Sequence, residues 1–306
     1  MKAPVVVFAY NRPDHLLKTL EALSKNTLAS ESEIYIYIDG PKNELGAPKN
    51  QEVYEVACNF QKGHFFRVNI SRSEKNYGLA ASVIKGVTEV INRFGKAIIL
   101  EDDSVPDCNY LAFMNQALEF YQDDPQIFSI GGYTVPLSIP KEYNKDVILT
   151  QRSSSYAWAT WKNRWEKIDW EVKDYKKFRW GFFARKKFNR WGEDRASMLD
   201  DQMNGRVNSW AIRFDYAMYK QKMYNILPRF SLIQNIGHDG SGTHNRLNGC
   251  GKDIFHVDIS QTENTFTFEK VDVNEEIRQS FCAFFRVSKR ALSKRFISNL
   301  LYRKRK

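Results

Sequence analysis

The run PVVVFA at residues 4–9 is apolar without interruption, the pattern of a strand buried on both faces of a parallel sheet. Behind it, NRPDHLLKTLEALSKN opens with polar residues and a proline, then repeats Leu16, Leu17, Leu20 and Leu23 at helical spacing. The same alternation continues. EIYIYIDG interleaves Ile34, Ile36 and Ile38 with tyrosines and stops at Asp39-Gly40-Pro41, a turn signal. A helix around QEVYEVACNFQ and a strand at FFRVNIS follow. The next helix, within NYGLAASVIKGVTEVINRFG, sets Leu79, Val83, Val87, Val90 and Ile91 on one face and ends at Gly95, before a fourth strand, AIIL. Such alternation over the first 135 residues predicts an α/β fold with a mixed, mostly parallel sheet flanked by helices.

In open parallel sheets ligands bind beyond the carboxyl ends of the strands, where loops and helix N-termini converge. Three strand ends here carry polar groups: Tyr10-Asn11-Arg12, Asp39-Gly40 and Glu101-Asp102-Asp103. The acidic triplet, followed at once by a proline-containing turn at Ser104-Val105-Pro106, is the most demanding of them. Its carboxylates repel one another and are costly to bury unpaired, so a cation gives them a physical reason to cluster. A Mg²⁺ or Mn²⁺ ion that serves a diphosphate is held through one or two carboxylates, with phosphate oxygens and waters completing its shell. The competing reading is a solvated acidic turn, as in QDDP at 122–125. Position favours the cation, because the triplet follows a buried strand at an edge shared with two other polar loops. Arg12 can also be read as a surface residue at a helix start, and Asp39 as an Asx-type turn before Gly40.

From about residue 150 the texture changes. SSYAWATWKNRWEKIDW packs Trp158, Trp161, Trp165 and Trp170 closely, and the first three have helix-compatible spacing. They serve as core or as a flat apolar platform for a ligand. MLDDQM also reads as helical, and PRFSLIQNIGHDGSGTHNRLNGCG reads as a loop with ligand-facing potential.

Charge adds a class of partner. The 46 Lys and Arg against 36 Asp and Glu give +10, which attracts phosphate-bearing molecules. Much of the excess lies in KRALSKRFISNLLYRKRK from Lys289 onward, a basic amphipathic helix suited to an anionic membrane surface. No nucleic-acid reader motif accompanies it, so a nucleic-acid partner is not expected. Cys58, Cys108, Cys250 and Cys282 lie far apart without a C-x-x-C pair, which indicates neither a zinc site nor a disulfide framework and fits a reducing cytosol. MKAPVVVFAYNRPDH reads as a strand and not as a signal peptide, and no window approaches the roughly 20 apolar residues that span a bilayer. The expected location is cytoplasmic, peripheral on the inner face of the cell membrane.

These residues resemble the nucleotide-sugar glycosyltransferases of the GT-A fold. VVVFAYNRPDHLLKTLEAL looks like the first strand, loop and helix of family 2 enzymes. EKNYGLAASVIKGVTEVINRFGKAIILEDDSVPDCNYLAFM is similar in layout to the metal-motif region of N-acetylglucosaminyltransferase I, whose triplet also reads Glu-Asp-Asp. YAWATWKNRWEKIDW, NSWAIRF and SLIQNIGHDGSGTH look like family 2 sequences from bacterial polysaccharide gene clusters. The resemblance covers roughly residues 4–248. It implies a nucleotide-sugar-binding half at 1–135, an aromatic-rich, helical acceptor and catalytic half at 136–250, and a C-terminal extension at 251–306.

The resemblance further implies a metal-dependent inverting hexosyltransferase. Its donor would be a nucleotide-diphosphate sugar, UDP-linked, and its acceptor a lipid-linked saccharide, lipopolysaccharide or capsule precursor. Tyr10 and Arg12 would lie by the nucleotide and diphosphate, Asp39 would meet the base, and Lys75, Asn76 and Tyr77 would sit beside the donor or cap the following helix. Asp103 would hold the Mn²⁺ or Mg²⁺ ion, with Asp102 toward the ribose or a metal-bound water. The segment from Ile236 to His244 would close over the diphosphate, with His238 or His244 as contacts. The pattern breaks at the base. Relatives place an Asp just before Ser-Trp-Ala-Ile-Arg, whereas this chain has Asn208, which cannot take a proton from an acceptor hydroxyl. Asp201, Asp194 and Asp215 are the substitutes, and Asp201 is preferred. Two rivals remain. A sugar-phosphate nucleotidyltransferase would carry a Gly-rich, basic loop where this chain has AYNRPDH, and a binding or assembly protein without turnover is favoured by Asn208.

Overall fold

The computed structural model describes residues 2–240, 253–259 and 265–287. The basic segment from Lys289 onward, His244 and Cys250 lie outside the described residues. Strands β1 (Val5–Ala9), β2 (Glu33–Ile38), β3 (Arg67–Arg72) and β4 (Lys96–Glu101) alternate with helices α1 (Pro13–Ser24), α2 (Ala47–Asn59) and α3 (Leu79–Phe94). Four of the predicted strands and three of the predicted helices are thus present. The short β5 (Ser104–Pro106), α4 (Tyr110–Phe120) and β6 (Ile127–Gly131) complete the first half. Beyond it come β7 (Val147–Thr150), β8 (Ala157–Trp161), α5 (Lys162–Trp165), α6 (Tyr175–Trp180), α7 (Phe182–Phe188), α8 (Arg195–Met203) and α9 (Trp210–Lys220). The last elements are β9 (Tyr224–Pro228), β10 (Ile233–Asn235) and α10 (Glu275–Phe284).

Among the described residues, eight strands form one sheet in the order β3-β2-β1-β4-β8-β6-β9-β7. The β3-β2-β1-β4 portion is parallel, as crossover helices require. From β4 onward the sheet is mixed, since β8 runs antiparallel to both β4 and β6. Helices cover both faces. Val5 and Val7 point into a core shared with α1, α2 and α4, while Val6 and Phe8 point into one shared with α3 and α9. Burial on both sides explains why β1 reads as a solid apolar run and not as an alternation. A third, smaller core lies under α6, α7, α8 and α9.

Two expectations are corrected here. Trp158 and Trp161 lie on β8 and not on a helix. A spacing of three puts residues on one face of a helix but on opposite faces of a strand, and the two rings accordingly enter different cores. Trp158 stacks between Trp165 and Trp210 at 5.8 and 4.8 Å, and the three are almost fully buried, so they are core. The second correction is Ser-Val-Pro after the triplet, which is not a turn but β5, paired antiparallel with β10 in a two-stranded ribbon.

The C-terminal extension returns to this framework. Phe266 meets Phe113 at 5.1 Å, Tyr121 donates to the carbonyl of Glu269 at 2.6 Å, and Phe281 packs on Trp191 at 5.7 Å. Among the described residues, Cys58, Cys108 and Cys282 are free thiols, and no helix is long and apolar enough to cross a membrane.

Candidate functional site

The carboxyl ends of β1, β2 and β4 converge, and buried polar side chains tie them together. Asn50 on α2 donates to the carbonyls of Tyr10 and Asp39, both at 2.7 Å, and accepts from Arg72 at the end of β3. Tyr10, at the rim, accepts from the amide of Lys42 through its hydroxyl at 3.2 Å.

Asp39 accepts three backbone N–H groups: Gly40 at 3.1 Å, Tyr77 at 2.9 Å and Gly78 at 2.8 Å. The last two lie just before α3, so the carboxylate anchors the start of that helix, where negative charge is favoured. Its Asx-type contact with Gly40 is also formed. Asn76 donates to the Gly40 carbonyl at 2.8 Å, and Lys75 lays its backbone over Gly40. A Cβ at position 40 would stand 2.6 Å from the Lys75 carbonyl carbon, which explains the glycine. The Tyr77 ring is exposed, with Lys85 above it.

The acidic triplet closes around Arg12. Its guanidinium binds Asp102 and lies 2.8 Å from Asp103 Oδ2. Thr19 of α1 holds the Asp102 carbonyl at 2.8 Å. From the other side, the β5–β10 ribbon brings Asn235 to Asp103 Oδ1 at 3.0 Å and the amide of Ile236 to the Asp103 carbonyl at 2.9 Å. Gly237 passes directly over the carboxylate; a Cβ there would fall onto Asp103 Oδ2 and 3.1 Å from Arg12 Nη1. The next residue, His238, shares a 3.1 Å hydrogen bond with Tyr156 and stacks on Phe255 at 5.2 Å.

Burial dominates the electrostatics here. Burial pushes Asp102 up to about 7, with Arg12 pulling it down and Asp103 pushing it further up. Glu101 stands well above the carboxylate range, through burial first and then through Asp103 and Asp102, against Arg12 and the indole of Trp210. Burial opposes the charge of Arg12, but Asp102 and Asp103 outweigh it and raise its pKa. One guanidinium therefore faces three carboxyl groups. Among the described residues, no group of three or more His, Cys, Asp or Glu is arranged to hold a metal by protein ligands alone. An all-oxygen set of one or two carboxylates beside uncompensated negative charge nonetheless fits a Mg²⁺ or Mn²⁺ ion that draws its other ligands from a diphosphate and water.

A pH dependence follows. Asp102 titrates near 7 in the folded chain against an ordinary 3.8, so the native state holds the extra proton between those values. Its contribution to stability should fall as pH rises through that window and level off above about 7. In chelator-containing buffer, thermal melts of Asp102→Asn should lose part of the wild-type decline from about pH 4 to 7. Parallel pH profiles for the two proteins would contradict the shift.

The candidate bases sit in arginine pairs. Asp194 is clamped by Arg152 at 2.8 and 2.9 Å, and Asp215 accepts from Arg195 at 3.1 Å and from Ser153. Asp201, on α8, is met by Arg206 Nε at 2.7 Å and by Nη2, both on Oδ1. Asn208 is exposed and precedes α9, whose Trp210 reaches Glu101. Thus Tyr10, Arg12, Asp39, Asp102 and Asp103 share one sheet edge with the Lys75–Tyr77 loop, whereas Asp201 lies over the third core. Asn50, Asn235, Gly237 and Tyr156 were not singled out in the sequence. The polar QNIGHDG loop signalled the second and third, and the first and last carry no local signal.

No protein-family model matches this chain, and no curated protein matches it. Solved structures similar to it include that of S. aureus TarS residues 1–349, at 12% identity and a TM-score of 0.44, covering 76% of this chain and 60% of that one. The same protein in complex with UDP has 13% identity, a TM-score of 0.44 and the same coverage. Its complex with UDP-GlcNAc has 13% identity and a TM-score of 0.42, covering 76% and 58%. The chain spans about three-fifths of the length of those structures.

Proposed function

We propose that the protein is a metal-dependent inverting glycosyltransferase that moves a hexose from a nucleotide-diphosphate sugar, UDP-linked, to a lipid-linked saccharide, lipopolysaccharide or capsule precursor. One observation carries the reading: Arg12, Asp102 and Asp103 form a buried charged cluster at the carboxyl edge of parallel strands, under a loop that returns over Asp103. Arg12 is suited to a diphosphate, since its fork can meet two phosphate oxygens. The rim residues Tyr10, Lys75 and Tyr77 flank the nucleotide, while Asp39 and Asn76 shape the loop that receives it. Asp103, with Asp102, would hold a Mn²⁺ or Mg²⁺ ion, which stabilises the charge of the departing diphosphate. In this reading Asp201 takes the acceptor hydroxyl's proton in place of Asn208, since the end of α8 adjoins that position, where Gln202 accepts from the amide of Ser209 at 2.6 Å.

Asn208 favours a second reading, a sugar-nucleotide-binding protein without turnover. A thermal-shift screen of UDP sugars with and without Mn²⁺, followed by assay of released nucleoside diphosphate, separates the two. Metal-enhanced stabilisation with release supports the transferase; stabilisation without release supports the binder. No shift with any nucleotide sugar would overturn both.

A further inference from the structure

The junction of α6 and α7 presents three aromatic side chains to solvent: Trp180 is 63% exposed, Phe182 72% and Phe183 77%. They are held out by a firm base. Phe178 and Phe188, on either side, are buried and meet at 5.6 Å in the third core. Arg185 clamps Asp200 at 2.9 and 2.8 Å, and Tyr219 donates to the Ala184 carbonyl at 3.0 Å. Phe182 and Phe183 contact each other edge-to-face at 5.5 Å, and Arg179 lies 5.6 Å from the Trp180 ring. Exposed apolar clusters of this kind mark interaction surfaces.

The surrounding charge selects the partner. Lys176 and Lys177 precede the tip and Lys186 and Lys187 follow it, all exposed, and residues 175–192 contain no Asp or Glu. We infer that this tip is a membrane-docking element, whose rings enter the interfacial zone of a bilayer while the flanking lysines meet anionic phospholipid headgroups. Trp favours that zone, and lysine stems can lie along apolar surface with their charges in the headgroup layer. Nucleic acid would account for the lysines but not for two adjacent phenylalanines held in water. The inference does not depend on sugar transfer, and its residues are separate from the basic segment at 289–306.

The test uses the full chain and phosphatidylcholine vesicles with or without phosphatidylglycerol. Replacing the rings together (Trp180→Ser, Phe182→Ser, Phe183→Ser) should lower partition onto anionic vesicles about tenfold or more, with the thermal midpoint unchanged. The basic segment is the same in both proteins, so the difference reads the tip. Independently, brominated lipids should quench wild-type fluorescence more than that of Trp180→Phe, a variant that keeps the shape and so decides the matter if the triple variant fails to fold. Equal quenching of the two would overturn the inference. So would unchanged partition of the triple variant, including the case in which it loses only retention on an immobilised acceptor glycan.

Discussion

Asp103→Asn is expected to lower Mn²⁺-supported release of nucleoside diphosphate by about 100-fold or more, the scale on which removing one charge-stabilising group acts on a transition state. The substitution keeps the size of the side chain and removes its charge. Its position makes the effect specific: Asp103 is reached by Arg12 from the loop after β1 and by Asn235 from the ribbon, and Gly237 crosses directly above it. Assay of released diphosphate at saturating Mn²⁺, with a melting curve as the folding control, gives the answer. Turnover within a few-fold of wild type would remove Asp103 from the machinery.

Arg12→Met should cost about 3 kcal/mol or more of stability in the presence of chelator, because it leaves two buried carboxylates without their shared cation. Adding Mn²⁺ should return part of that loss, since a divalent ion can meet the charge that the guanidinium abandons. Urea denaturation with and without metal measures both quantities. A loss that Mn²⁺ leaves untouched would argue that these carboxylates do not bind the ion, and no loss at all would argue against the buried pairing itself.

The sequence displayed the framework better than the closure of the site. Strands β1, β2 and β4 were legible because their burial leaves unbroken or alternating apolar runs, whereas the edge strand β3 is only half-buried. The triplet's place at a strand end followed directly. Its pairing with Arg12 did not, since nothing local joins residues 90 positions apart. Trp158 and Trp161 misled because a spacing of three is ambiguous until the element is known, and the partners that make β8 a strand, β4 and β6, lie far away in the chain. β5 was hidden for a similar reason: three residues ending in proline look like a turn unless β10 stands beside them. For Asp39 the two readings left open, ligand contact and local turn, are not exclusive. Its contact to Gly40 fills the second role, and those to Tyr77 and Gly78 anchor the start of α3.

The β5–β10 ribbon sets an order of events during synthesis. Asn235 is made 132 residues after Asp103, so at typical elongation rates the nascent chain carries its carboxylates uncovered for about ten seconds. Folding of the amino-terminal strands and closure over Asp103 are thereby separated in time, and a ribosome stalled before residue 233 would display a sheet whose acidic pocket still lacks its roof.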